Sequence, residues 1–178
     1  VHYTTYSIEC ERIVPVPTER TSAGDPARTL RLLWRAAKDE ASGPRRGHRR
    51  ALSVDAVVAS AIALADVEGL EGVTVRRVAQ DLGVVPMSIY TYVPGQAELL
   101  DLMMDASYAA MPRTDTTGRS WRDRVATIAA ENRTLYEQHP WAAGVSTARP
   151  PLGPGLMAKY EHELSAFDGL GLSDLEMD

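Results

Sequence analysis

A chain of 178 residues with 44% hydrophobic content carries enough apolar material for one or two modest domains around a buried core. The formal net charge of -5 excludes a uniformly basic nucleic-acid binder; Lys/Arg against Asp/Glu runs ten to six over residues 1–50, two to eight over 51–111 and seven to ten over 112–178, so any phosphate contact has to be local. The one cysteine, Cys10, excludes an internal disulfide or a cysteine-based zinc site, and with neither a bilayer-length apolar run nor a signal-peptide pattern over Val1–Pro17 a cytoplasmic location is expected.

Residues 1–25 mix polar, aromatic and proline residues without a sustained period and are expected to form a disordered extension. Asp25 and Pro26 then read as an N-cap and first helical position, with Leu30, Leu33, Trp34 and Ala37 as the apolar stripe of a short docking helix. Ser42-Gly43-Pro44 ends it and opens the basic run Arg45-Arg46-Gly47-His48-Arg49-Arg50, so that 26–50 reads as a short helix and a basic arm. From Ser53 the pattern becomes regular. Val54, Val57, Val58, Ala61, Ile62, Leu64 and Ala65 recur at helical spacing until Gly69; Thr74 caps a second helix with Val75, Val78, Ala79 and Leu82 on one face, closed by Gly83. Pro86 opens a third, short helix through Tyr92, and Pro94-Gly95 separates it from a fourth that runs from about Gln96 to Met111. Beyond the loop 114–118, Ser120 and Asp123 form a capping pair for a long helix to about Gln138. His139-Pro140-Trp141 starts a short helix ended by the loop 148–154, Leu156–Asp168 reads as another amphipathic helix, and Ser173–Asp178 as a capped helix start. No strand-like alternation occurs, and the fold class is all-α, with residues 51–96 as one unit and 97–178 as a second, partial one.

The middle of this pattern has the steric requirements of a helix-turn-helix. Ala79 is small where the second helix of the pair crosses, Gly83 can take the left-handed conformation that turns the chain, and Val84 and Ile89 fill the angle between the helices. A helix from Pro86 to Tyr92 is about two turns long and presents about three or four side chains to base edges, so duplication of the module would supply specificity.

The run Thr74 to Leu100, with Ile89-Tyr90-Thr91-Tyr92 and the Ala97-Glu98-Leu99-Leu100 entry to the fourth helix, resembles the signature of the TetR (tetracycline-repressor) family of bacterial regulators. A weaker resemblance from Ser120 to Asp178, including His139-Pro140-Trp141 and Arg149-Pro150-Pro151-Leu152-Gly153, is to that family's regulatory domain. The resemblance implies a three-helix DNA-binding domain joined by a fourth helix to a ligand-binding and dimerisation domain. It implies a homodimer that sets two recognition helices into successive major grooves of a palindromic operator on double-stranded DNA, and releases it when a small-molecule effector binds.

Residue roles follow from that alignment. Arg76 matches a position that reaches a guanine, whose O6 and N7 suit the guanidinium fork. Pro86, Met87 and Ser88 open the recognition helix, Met87 toward a thymine methyl; Thr91 and Tyr92 are expected to touch the sugar-phosphate backbone, and Tyr90 to pack in the core. Gln96 stands where many relatives carry Lys at a phosphate-binding helix start, keeping a hydrogen bond and losing a charge. The arm residues Arg45, Arg46, Arg49 and Arg50 would compensate along phosphates or the minor groove. Tyr108, Tyr136, His139, Trp141, Met157, Tyr160 and Phe167 are expected to wall an apolar effector cavity, although such a set is also what ordinary core looks like.

Catalysis finds no support: the four histidines are scattered, His162 has no second histidine at i+4, and there is no Gly-rich phosphate loop, so no catalytic residue, metal or cofactor is expected. A regulator that no longer switches, or a protein-interaction fragment without stable dimerisation, stays open as the alternative.

Overall fold

The computed structural model describes residues 19–35, 52–146 and 149–177. Its helices are α1 (Pro26–Leu33), α2 (Val54–Glu68), α3 (Val75–Leu82), α4 (Pro86–Tyr92), α5 (Gln96–Ala110), α6 (Trp121–Gln138), α7 (Pro154–Leu164) and the single turn α8 (Asp174–Met177). Short 3-10 turns lie at Leu70–Gly72, Pro140–Gly144 and Ser165–Phe167, and two two-residue strands, β1 (Glu19–Arg20) and β2 (Val145–Ser146), pair in parallel. Among the described residues no helix is long and apolar enough to cross a membrane.

The caps expected from the sequence are in place. Ser53 Oγ accepts from the Ala56 N–H at 3.1 Å, and Thr74 Oγ1 from the Arg77 N–H at 3.2 Å, each satisfying an amide that the first turn leaves without a carbonyl. At Ser120 the hydroxyl accepts from the Asp123 N–H at 3.3 Å and donates back to the Asp123 carboxylate at 2.7 Å. Gly83 adopts φ 68°, and the Val84 N–H reaches the Ala79 carbonyl at 2.9 Å, the bond that closes a helix through a left-handed residue. Three residues then suffice to turn the chain from α3 into α4.

Val57, Val58, Ala61 and Ala65 of α2, Val78 and Ala79 of α3, and Ile89 of α4 bury one shared core under this corner. α5 leaves the corner and is buried for most of its length, with Leu99, Leu100, Leu102, Met103, Met104 and Tyr108 continuing the same core. It crosses α7 closely: a Cβ on Gly155 would run into the Asp105 carbonyl, so only glycine permits this approach of two backbones.

Three expectations are corrected. Residues 19–25, expected within a disordered extension, are placed: β1 pairs with β2, the buried Thr21 donates from Oγ1 to the Arg149 carbonyl at 2.7 Å, and the Ser22 N–H donates to Asp101 Oδ1 at 2.7 Å. These partners lie more than seventy residues away, where periodicity gives no signal. The first helix is closed at Leu33 with Trp34 as its C-cap, and it docks through Thr29 and Leu33 whereas Leu30 and Trp34 are exposed; Ala37 and the expected end at Ser42-Gly43-Pro44 lie outside the described residues. Tyr90, expected in the core, is exposed; Tyr92 packs there instead, three residues from Ile89 and therefore on the same helical face. Residues 1–18 of the expected extension, and the basic arm with Arg45, Arg46, Arg49 and Arg50, lie outside the described residues.

Candidate nucleic-acid interface

The periodicity of α4 separates its two faces. Ile89 is 1% exposed and Val93 is buried, which fixes the helix on α2 and α3, while Pro86, Met87, Tyr90 and Thr91 share the outward face. Met87 is 74% exposed, Val85 at the N-cap 65% and Tyr90 46%, so the outward face is led by apolar side chains. Ser88 and Tyr92 are half-buried at its edges. Residues 83–97 contain neither an acid nor a Lys/Arg. A surface of this composition can meet base edges and methyl groups without drawing or repelling phosphates.

The acids of the surrounding sequence are accounted for elsewhere. Asp55 pairs with Arg35, Glu68 with Arg77, Asp81 accepts from the Ser60 hydroxyl at 2.6 Å, and Glu98, Asp101 and Asp105 are buried on α5. Of the eight acids in 51–111, Glu98, Asp101 and Asp105 are buried, Asp55, Asp66, Glu68 and Asp81 have side-chain partners, and Glu71 is exposed. Arg76 and Arg77 open α3 side by side with different fates. Arg77 is engaged by Glu68, whereas Arg76 is exposed and makes no ion pair among the described residues. Its guanidinium offers five donors at the start of α3.

Gln96 fits its expected role less well. Its side-chain amide donates to the Val73 carbonyl at 3.3 Å, which ties the start of α5 to the segment before α3. The buried Glu98 carboxylate folds back toward Gly95 at the same helix start.

The residues expected to wall an effector cavity have several different settings among the described residues. Trp141 Nε1 donates to Asp66 Oδ1 at 2.7 Å, and His139 Nδ1 lies 2.7 Å from the same oxygen, the two rings 5.9 Å apart. Asp66 belongs to α2, so these two side chains tie the turn after α6 to the helix-turn-helix bundle. Sequence reasoning missed Asp66, which looks there like a solvated helix carboxylate. Tyr108 is buried beneath Lys159, whose Nζ is 5.5 Å from the ring centre, and burial pushes its hydroxyl far up from the ordinary phenol range. Tyr136, Met157 and Tyr160 are partly exposed, and Phe167 is half-buried. The cavities described have other linings, the largest being an open polar cleft of about 400 Å³ with Arg113, Thr114, Arg124, His162 and Ser165 on its walls.

In that cleft both arginines serve the fold. Arg113 donates to the carbonyls of Tyr108, Ala109, Met111 and Ala158, and Arg124 to those of Arg119, Ser165 and Asp168. Glu131 accepts from the Thr114 N–H at 2.8 Å and lies 2.7 Å from His162; burial pushes its carboxyl up, but these hydrogen bonds and the His162 charge together hold it below its ordinary value.

Comparison with known proteins agrees with this arrangement. The profile of the "Tetracyclin repressor-like, C-terminal domain" matches residues 113–177. The HTH-type transcriptional repressor DrrR1 of Streptomyces coeruleorubidus is 44% identical over 161 residues, 90% of this chain and 58% of the repressor. Among solved structures, the Streptomyces coelicolor TetR family protein ActR in complex with (S)-DNPA superposes with a TM-score of 0.62 at 30% identity, covering 70% of this chain and 61% of ActR. BioQ with its double-stranded DNA operator superposes with a TM-score of 0.59 at 26% identity, covering 71% and 76%. The chain thus spans less than two thirds of the length of DrrR1 and of ActR. A helix-turn-helix corner, continued through a buried helix into a segment that matches the tetracyclin repressor-like C-terminal profile, makes this chain similar to the TetR family regulators over the lengths that they share.

Proposed function

We propose that this protein is a ligand-responsive transcriptional repressor, not an enzyme, that acts on DNA in the cytoplasm as a pair of copies on a palindromic operator. The observation that carries the reading is the outward face of α4, where Pro86, Met87, Tyr90 and Thr91 are exposed in a stretch free of acids while Ile89 anchors the helix, with Arg76 exposed at the start of α3 and in no ion pair among the described residues. Met87 and Tyr90 are suited to thymine methyl groups and base edges, and Arg76 to a guanine. Ser88, Thr91 and Tyr92 supply hydroxyls for phosphate and sugar contacts, and the basic arm Arg45–Arg50 supplies the charge that α4 lacks.

The relatives support the same reading. ActR was solved with a small molecule and BioQ with its operator. In this chain the effector surface would draw on the partly exposed Tyr136, Met157 and Tyr160, on the half-buried Phe167 and on the buried Tyr108. The tie from His139 and Trp141 to Asp66, together with α5, would carry a change in that region to the bundle.

Selection from a random duplex library with the 178-residue chain tests the proposal. The expected product is a palindrome whose half-sites lie about one helical turn, 34–36 Å, apart. A single unpaired half-site would favour a non-switching fragment, and no enrichment above salt-sensitive nonspecific binding would overturn the operator reading.

A further inference from the structure

Residues 19–34 lie along α5 and are held there largely by hydrogen bonds. β1 pairs in parallel with β2, Glu19 opposite Val145 and Arg20 opposite Ser146. Beyond β1 the segment donates and the body of the protein accepts: the Thr21 hydroxyl to the Arg149 carbonyl at 2.7 Å, the Ser22 N–H to Asp101 Oδ1 at 2.7 Å, the Asp25 N–H to Glu98 at 3.4 Å and the Trp34 indole to the Leu152 carbonyl at 2.8 Å. The Thr29 hydroxyl, buried beside Asp101, can donate to that carboxylate as well. α5, β2 and the backbone of 149–152 thus form a groove of acceptors, the counterpart of the N–H groups of an extended chain.

Little else holds the segment. Between residues 21 and 34 Leu33 is the one buried apolar side chain, and Leu30 and Trp34 are exposed, so hydrophobic burial offsets little of the entropy of ordering it. Ser22 is kept at φ 53°, a left-handed conformation that serine seldom adopts. Departure of the segment would return Glu98 and Asp101, both buried, to water, which offsets part of the bonds lost. The core of α2, α3, α4 and α5 is packed from Val57, Val78, Ile89 and Met103 and has its own apolar support. A stretch with few buried apolar contacts beside such a core is the kind that opens on its own.

We propose that this groove is a docking surface for an extended peptide, filled by the chain's own residues 19–34 and open to the same residues of a second copy. Recognition comes from donors set against Asp101, Glu98 and the carbonyls of Arg149 and Leu152, with pairing to β2 fixing the register. The attached segment competes at an effective concentration on the order of millimolar, so exchange between copies is governed by how firmly a chain holds its own segment. A chain that cannot hold its segment presents the groove, and a chain whose groove is broken presents the segment.

Two full-length variants separate these halves. Ser22→Pro removes the N–H that meets Asp101 and imposes φ of about -65°, which leaves the groove intact and the segment unable to dock. Asp101→Ala removes the acceptor and leaves the segment intact but undocked. Mixed, the two should pair, seen as a rise in sedimentation coefficient over either chain alone. A labelled synthetic peptide of residues 19–35 should bind the Ser22→Pro chain about tenfold or more tightly than the wild type in fluorescence anisotropy, and binding should be lost in the Asp101→Ala chain. In the wild type the Ser22 and Asp25 amides should exchange about tenfold or more faster than those of Val57 and Ile89 after correction for intrinsic rates. Variants that fail to pair while their core amides stay protected, or a peptide that binds the Asp101→Ala chain as well as the Ser22→Pro chain, overturn the proposal. So does a Ser22→Pro chain that does not fold, or a wild-type segment that exchanges only together with the core, since either makes residues 19–34 an inseparable part of the fold.

Discussion

In the bundle of α2, α3 and α4 the buried side chains are almost all apolar, and polar groups work at the helix ends, where Ser53, Thr74 and Gly83 satisfy or redirect the backbone. Along α5 the interior instead contains Glu98, Asp101 and Asp105, each accepting backbone N–H groups from chain that is distant in sequence. A corner held by apolar packing keeps one geometry, as the proposed reading of DNA by the outward face of α4 requires. A junction held by carboxylates and a bare glycine crossing depends on conditions and on close fit, which suits the part of the molecule that links two regions.

The largest difference should come from removing the anchor of the reader. Ile89→Ala takes a fully buried side chain from between α2, α3 and α4 and should cost about 2–5 kcal/mol, read as a lower midpoint in urea unfolding, with operator affinity falling beside it. Gly155→Ala acts at the other region. Its Cβ meets the Asp105 carbonyl and the Ala109 N–H, which are backbone and cannot turn aside, so a loss of about 1–3 kcal/mol is expected, with exchange increasing at the start of α7 and not in α4. An unchanged midpoint in the Gly155→Ala protein would show that α5 and α7 do not pack this closely. Arg76→Ala should leave stability within about 0.5 kcal/mol, since the side chain is exposed and unpaired, yet relax base preference at one position of each half-site by about 1–3 kcal/mol.

The bundle was legible because its determinants are local. Ser53, Thr74, Gly83 and Pro86 mark helix ends by their own chemistry, and Val78, Ala79 and Ile89 mark the buried side by spacing. The exchange of Tyr90 and Tyr92 lay within reach of the same periodicity, since Tyr92 and Val93 follow Ile89 at three and four residues and Tyr90 does not. The seating of residues 19–35 was not legible in this way. Its bonds join the Ser22 N–H to Asp101, the Thr21 hydroxyl to the Arg149 carbonyl and the Trp34 indole to the Leu152 carbonyl; one partner in each is backbone, which leaves no trace in side-chain pattern. The same holds for Asp66, which gives no sign in a helix of its own that His139 and Trp141 will meet it.

The central claim, that the outward face of α4 and Arg76 read the major groove, is tested most directly by methylation interference on the selected duplex, comparing the wild type with Arg76→Ala. Methyl groups on guanine N7 in the two half-sites should block the wild-type chain, and one guanine per half-site should cease to matter in Arg76→Ala. Interference confined to adenine N3 in the minor groove, or a guanine pattern identical in the two proteins, would contradict the account.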